Sequence, residues 1–221
     1  MTRSGRPGPL AASRISAADV RAPFVLASAS PRRLALLRQA GLEPSVVIAP
    51  EIDETPRKGE LPRSYALRVA VGKTEAVVAK EAGSFVLAAD TVVAAGRRIL
   101  PKAEGADEVG RCLRLLSGRR HMVLTALALK PPGKPMRTRV VATRVAFKVL
   151  TAREIEAYVA SGEGEGKAGG YAVQGRAEAF VRSINGSYSN VVGLPLYETL
   201  GLLEGSGWSS EPPSFRGHQE S

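Results

Sequence analysis

The chain has 221 residues, of which 44% are hydrophobic, and its formal net charge is +10. This length suits one α/β domain or two small lobes. One cysteine excludes an internal disulfide framework and a cysteine-rich zinc site, and two histidines leave little for histidine-based catalysis or metal ligation. The apolar stretches are shorter than the ~20 residues that a membrane-spanning helix needs, so we expect a cytoplasmic protein with no membrane partner.

The two ends of the chain differ in composition from its middle. Residues 1–22 are rich in Gly, Pro, Ser and Ala and carry a charge of +3, and residues 205–221 carry −1. We expect both segments to be disordered tails around a single domain at 23–204. That domain then carries +8 itself, which favours anionic partners. Aromatic residues make up only 5% of the chain, which argues against a nucleic-acid partner.

Hydrophobic periodicity and turn residues predict strands that alternate with helices. In chain order these are strand 24–28, helix 31–40, strand 45–49, helix 62–82, strand 85–94, helix 106–116, strands 120–130 and 138–149, helix 152–160, and a last helix near 195–204. The sequence "KPPGKP" between the two long strands predicts a hairpin. The pattern indicates an α/β fold with a mixed, twisted sheet flanked by helices.

The first strand leads directly into a helix that begins with two arginines. Ser30 suits the N-cap and Pro31 the first turn. Arg32 and Arg33 then oppose the helix dipole unless an anion lies in front of them. The hydroxyls of Ser28 and Ser30, the free backbone N–H groups and the two guanidinium groups therefore predict a phosphate site. The alternative is an ordinary solvated arginine pair.

A lysine falls on the apolar face of the helix predicted at 62–82. Lys73 has the same helical spacing as Ala66, Ala70 and Val77, which mark the buried side. A lysine in that position must extend to solvent or meet an anion.

Two strings resemble nucleotide-binding motifs but lack their context. "VGKT" at 71–74 is not a P-loop, because Leu67 stands where the pattern requires glycine. "GEGKAG" at 164–169 follows a predicted helix rather than a strand, which argues against a dinucleotide fingerprint. His121 and Cys112 have no second group that would make them catalytic, so we assign both to structure.

Acidic residues follow two of the predicted strands. Asp90 comes at the end of "SFVLAAD", and ligands of α/β sheets bind at the carboxyl ends of strands. Asp53 and Glu54 follow "VVIAP". The alternative is that Asp90 forms a turn and that the pair at 53 and 54 caps a loop.

Several segments in the same order resemble the Maf family of nucleotide pyrophosphatases. They are "LASASPRRLALLRQAGL", "IDE" at 52–54, "GKTEAV" at 72–77, "AADTVV" from residue 88, "LRLLSGRRHMVLTALAL" at 113–129, "KAGGYAVQG" at 167–175 and "INGSYSNVVGLPL" at 184–196. Together they span nearly all of 24–204. The resemblance implies two lobes around a nucleotide cleft, as in Maf and ITPase-like folds, and hydrolysis of a nucleoside triphosphate between its α- and β-phosphates.

The resemblance also implies roles for the residues singled out above. Asp90 would accept a proton from the attacking water, and Asp53, Glu54 and Asp90 would hold a divalent metal cation, Mg²⁺ or Mn²⁺. Lys73 and Lys102 would face the phosphates. The family usually has Lys-Pro where this chain has Lys102 followed by alanine, with proline in front, so the geometry of that loop stays open. A homodimer is also implied.

Three positions resemble the subgroup of the family that hydrolyses dTTP and UTP. They are Arg33, Thr91 and Gln174, and a glutamine amide offers both the donor and the acceptor that a pyrimidine edge requires. Two alternatives stay open: a 7-methyl-GTP pyrophosphatase, and a nucleotide-binding regulator of septum formation.

Overall fold

Seven strands form one sheet within residues 22–209, the part of the chain that the computed structural model describes. They are β1 (Phe24–Ala27), β2 (Val46–Ile48), β3 (Phe85–Ala95), β4 (Arg98–Leu100), β5 (Arg120–Lys130), β6 (Arg137–Phe147) and β7 (Val181–Asn185). The order is β2-β1-β3-β5-β6-β7, and β4 pairs with β3. Strand β1 is parallel to β2 and β3, and the remaining pairs are antiparallel. The prediction of a mixed sheet is confirmed.

The helices flank this sheet. They are α1 (Pro31–Gln39), α2 (Pro62–Val78), α3 (Ala106–Leu116), α4 (Ala152–Ala160), α5 (Tyr188–Val192) and α6 (Leu196–Glu204), with a 3-10 helix at Arg176–Phe180. Helix α2 ends four residues before the predicted residue 82, where Lys80 N–H bonds to the carbonyl of Val77 in a tight turn. The short elements β4, β7 and α5 were not predicted. No helix within the described range has the length and apolar character needed to cross a membrane.

The packed chain continues past residue 204, where we predicted a tail. Ser206 is buried, and the ring of Trp208 lies 5.4 Å from that of Phe24 on β1, measured between centroids. Residues 1–21 and 210–221, which hold most of the two predicted tails, lie outside the described residues.

Two layers of helices enclose the parallel part of the sheet. One core lies between the sheet and helices α1 and α6 and includes Leu37, Leu87 and Leu203. Helix α2 covers the opposite face with Ala70 and Val77. Because successive residues of a strand point to opposite faces, β3 packs against both layers.

A separate core lies beyond the end of β1. It joins α3, α4 and the later strands through residues such as Leu113, Phe147, Tyr158 and Tyr171. The aromatic rings meet edge to face, with Phe147 and Tyr171 4.9 Å apart between centroids. The described residues thus form two lobes, as the family resemblance implies.

His121 and Cys112 both lie in this second core, as their structural assignment predicts. The Nε2 atom of His121 is 2.8 Å from the hydroxyl of Tyr171, and the imidazole packs edge-on against Phe147. Burial lowers the pKa of His121 to about 4. The folded protein therefore holds this histidine neutral at pH values where an unfolded chain protonates it.

We expect this histidine to make the protein sensitive to mild acid. Below the unfolded pKa of about 6.5, the unfolded chain takes up a proton that folded His121 does not, so stability falls by up to ~1.4 kcal/mol per pH unit until about pH 4. In His121→Gln this contribution is absent. Urea unfolding of both proteins at pH 7.5, 5.5 and 4.5 measures it, and a stability difference that stays constant over this range would contradict the assignment.

Candidate active site

The site lies where β1 ends and β3 continues. The register pairs Ala27, the last residue of β1, with Ala88, so Asp90 and Thr91 extend past the end of their neighbour. The sequence pattern predicts Asp90 at the end of a strand, but Asp90 lies inside the long strand β3. It is open to a ligand because the neighbouring strand β1 stops before it. The chain after β1 turns into α1 and leaves a cleft in front of β3.

One cavity of about 310 Å³ occupies this cleft and is lined by both lobes. It brings together ten of the eleven residues that we predicted for the site. They are Ser28, Ser30, Arg32, Arg33, Glu54, Lys73, Asp90, Thr91, Lys102 and Gln174. A volume of this size is in the range of small-molecule sites.

Four charged side chains form an alternating row along the cavity. The Nζ atom of Lys73 lies 2.8 Å from Asp90 Oδ1 and 3.0 Å from Glu54 Oε1. The other oxygen of Glu54 lies 3.0 Å from Lys102 Nζ. Lys73 and Asp90 are buried, at 6% and 3% exposure. The buried lysine predicted from helical spacing thus meets two carboxylates.

Glu54 is held in its charged form by this row. Burial alone raises its pKa, but the positive charges of Lys73 and Lys102 and their hydrogen bonds outweigh burial, so the pKa lies below its usual value. The hydroxyl of Tyr65 on α2 donates a hydrogen bond of 2.9 Å to the backbone carbonyl of Glu54, which fixes the loop.

Asp53 does not join the cavity. Its Oδ1 accepts a 2.8 Å hydrogen bond from the N–H of Thr55, and the side chain is exposed. This is the loop-capping arrangement that we weighed as the alternative. Of the predicted pair, only Glu54 reaches the other site residues.

Arg33 is buried and its guanidinium binds the protein itself. Its Nε donates to the carbonyl of Gly193 at 2.9 Å, Nη1 donates to Ser28 Oγ at 3.1 Å, and Nη2 donates to Thr91 Oγ1 at 3.2 Å. These contacts join α1, β3 and the chain after α5. Since three of its five N–H groups are used in this way, Arg33 shapes the cleft, and only the remaining two can reach a ligand.

The entry to α1 also differs in detail from the prediction. Ser30 is at the N-cap and Pro31 in the first turn, but the Ser30 hydroxyl makes no capping bond. The backbone N–H of Ser30 donates a hydrogen bond of 3.1 Å to Ser28 Oγ. Arg32 lines the cavity and makes no hydrogen bond or ion pair to residues 22–209, and burial lowers its pKa. It is the arginine that is free for an anion.

Lys167 is a cavity residue that the sequence analysis did not single out. It lines the wall formed by the second lobe, and its pKa is lowered by burial and by the nearby charge of Arg32. The signal was a lysine within the glycine-rich "GEGKAGG". Gly169 follows with φ +69° and packs so close to Val93 that a Cβ would lie 2.8 Å from a methyl group. Only glycine fits there.

The segment around Lys102 has a defined geometry despite its unusual sequence. Lys102 forms an isolated antiparallel bridge with Ala168, and the carbonyl of Pro101 accepts a hydrogen bond from Gly169 N–H at 3.0 Å. This pairing joins the segment of Lys102 to the glycine-rich segment of Lys167, and both lysines line the cavity.

The sequence matches the Maf-like protein family over residues 23–206. The chain belongs to the Maf family. A dTTP/UTP pyrophosphatase of Rhodopseudomonas palustris is 60% identical over 85% of this chain and 94% of that protein. One of Zymomonas mobilis is 58% identical over 84% of this chain and 92% of its own length.

Among solved structures, a nucleoside-triphosphatase / dITP/XTP pyrophosphatase of Mycobacterium abscessus is 23% identical. It covers 58% of this chain and 76% of that protein, with a TM-score of 0.40. This superposition is too loose to bear on the assignment, and membership of the Maf family depends on sequence.

The structural role of Arg33 in this Maf protein predicts a contrast with its neighbour. Arg33→Lys keeps the charge but cannot make the three bonds, so we expect a loss of about 2 to 4 kcal/mol in the free energy of unfolding. Arg32→Lys is the matched control and should change stability little. Urea denaturation measures both, and equal midpoints would show that the Arg33 contacts do not stabilise the fold.

Proposed function

We propose that this protein is a nucleoside triphosphate pyrophosphatase that hydrolyses dTTP and UTP to the monophosphate and pyrophosphate. The observation that carries the proposal is the buried ion pair of Lys73 and Asp90, extended by Glu54, at the base of a cation-lined cavity. The identity of 57–60% to relatives named dTTP/UTP pyrophosphatase supports the substrate.

The cations of the cavity suit the triphosphate. Arg32 and the first turn of α1 approach from one lobe, and Lys102 and Lys167 approach from the other. Phosphate oxygens would accept hydrogen bonds from the N–H groups of this turn and would neutralise the positive charges on the two sides of the cleft. A triphosphate bound between the lobes would be held on both sides.

Asp90 is the proposed general base. Lys73 holds its Oδ1, and within residues 22–209 no group hydrogen-bonds to its Oδ2, so this oxygen can accept a proton from water. The water oxygen attacks the α-phosphorus, the bond from that phosphorus to the bridging oxygen breaks, and pyrophosphate leaves with the electron pair. The proton of the water passes to Asp90.

The residues fit a divalent cation when substrate is present. No three His, Cys, Asp or Glu side chains in the described range are grouped to hold a metal. Glu54 and Asp90 both meet the ammonium of Lys73, and a cation beside that ammonium would share these carboxylates with phosphate oxygens, as Mg²⁺ commonly does. Bound there, Mg²⁺ or Mn²⁺ would neutralise phosphate charge during the reaction. Asp53 lies outside this set.

Gln174 is the proposed reader of the base. It lines the cavity on the second lobe, and its side chain makes no hydrogen bond to other described residues. Its amide can donate to and accept from a pyrimidine edge. Arg33 and Thr91 would contribute by shaping the cleft, because both bind the carbonyl of Gly193. The cytoplasmic location and the homodimer stay predictions.

Pyrophosphate release from a panel of nucleotides tests the proposal. We expect turnover of dTTP and UTP above that of the other canonical triphosphates and of 7-methyl-GTP. Asp90→Asn keeps the shape of the side chain but removes its basicity, so we expect kcat to fall roughly 10²- to 10⁴-fold, with an unchanged circular dichroism spectrum.

A preference for 7-methyl-GTP would contradict the assignment of dTTP and UTP as substrates. Nucleotide binding without any turnover would favour a regulatory protein. A folded Asp90→Asn protein with near wild-type kcat would remove Asp90 as the base and make Glu54 the better candidate.

The metal is tested by chelation. We expect EDTA to abolish pyrophosphate release and added Mg²⁺ or Mn²⁺ to restore it, because the two carboxylates and the triphosphate supply only oxygen ligands. The assay is run on dialysed protein whose fold is checked by circular dichroism before and after. Full activity in excess chelator would exclude the metal.

A further inference from the structure

A second cavity, of about 390 Å³, lies in the other lobe between β4, α3 and the turn before β5. It shares no lining residue with the active-site cleft. Four arginines border it, namely Arg98, Arg111, Arg114 and Arg119. The proposed reaction uses none of them.

The charges around this cavity are unbalanced. Its only lining acid is Glu108, whose Oε1 lies 3.5 Å from Arg111 Nη2 and whose Oε2 accepts a backbone N–H. Within residues 22–209, Arg98, Arg114 and Arg119 form no ion pair with a carboxylate. Positive groups gathered in this way repel one another, and an anion between them replaces repulsion with charge-assisted hydrogen bonds.

The guanidinium of Arg114 lies against a glycine inside a helix. Gly110 is in the middle of α3, where glycine is less favourable than alanine. A Cβ at that position would lie 3.3 Å from both terminal nitrogens of Arg114. The glycine thus leaves room for the guanidinium to lie along the helix beside the cavity.

The floor of the cavity is apolar. Leu100 and Cys112 are buried there, and Leu115 and Pro101 complete the surface. The volume is in the range of small-molecule sites. We infer that this cavity binds a small organic phosphate, with the phosphate group between the arginines and an apolar or planar body against Leu100 and Leu115.

This inference does not depend on the proposed function, because its test measures binding at a place that substrate does not occupy. The probe is phenyl phosphate, titrated into the full ¹⁵N-labelled chain. We expect amide shifts in residues 98–119, separate from any shifts caused by phosphate in the cleft. In the double variant Arg111→Ala, Arg114→Ala, the Kd obtained from the shifts in residues 98–119 should rise by about fivefold for each arginine removed. The shifts caused by phosphate in the cleft should not change.

Two controls make the measurement specific. Arg153→Ala removes one positive charge, half of what the double variant removes, from an exposed position on α4 and should change neither set of shifts. Cys112 is the single cysteine of the chain, so its alkylation by iodoacetamide reports on this cavity alone. Phenyl phosphate should slow that alkylation in the wild-type chain and in Arg153→Ala, but not in the double variant.

The outcomes separate the parts of the inference. Phenyl phosphate that leaves residues 98–119 unshifted at millimolar concentration would overturn it. If inorganic phosphate binds as tightly as phenyl phosphate, the ligand needs no organic body and that part of the inference is wrong. If phenol binds as tightly, the arginines do not contribute to binding.

Discussion

One ammonium group holds the two carboxylates of the active-site cleft together. Lys73 is buried between Asp90 and Glu54, and without it two negative side chains would face each other in a poorly solvated place. Breaking such a buried pair leaves an uncompensated charge, which is far more costly than the loss of a surface ion pair. The positions of α2, β3 and the loop after β2 in the cleft therefore depend on one another.

The register of the sheet creates the opening for this group. Strand β1 stops opposite Ala88 while β3 continues, so Asp90 projects past the end of its parallel neighbour. On the other side of β3, Thr91 bonds to Thr125 on β5 and to the buried guanidinium of Arg33. The cleft is thus open towards the ligand and rigid behind it, which is the arrangement that a preorganised site requires.

Positively charged side chains of the folded chain gather at two cavities. In the cleft, each lysine of the charged row is paired with a carboxylate, and Arg32 and Lys167 line the same cavity without an ion pair to a carboxylate of residues 22–209. In the second cavity the arginines outnumber their single acidic neighbour. A net charge of +10 by itself does not distinguish such sites from a diffuse field that attracts any polyanion.

The sequence by itself determined the order of the main elements, the family and most of the residues that we predicted for the candidate site and that line its cavity. Periodicity located Lys73 on a buried face, and Ser-Pro-Arg-Arg after a strand located the turn for which we propose phosphate binding, because both signals depend on neighbours close in the chain. Tertiary structure alone decided which arginine is free. Arg32 and Arg33 are adjacent, and only the packing of Gly193 against α1 makes Arg33 a buried brace. The same holds for Lys167 and the short strand β7, whose positions depend on contacts between distant segments that no local pattern encodes.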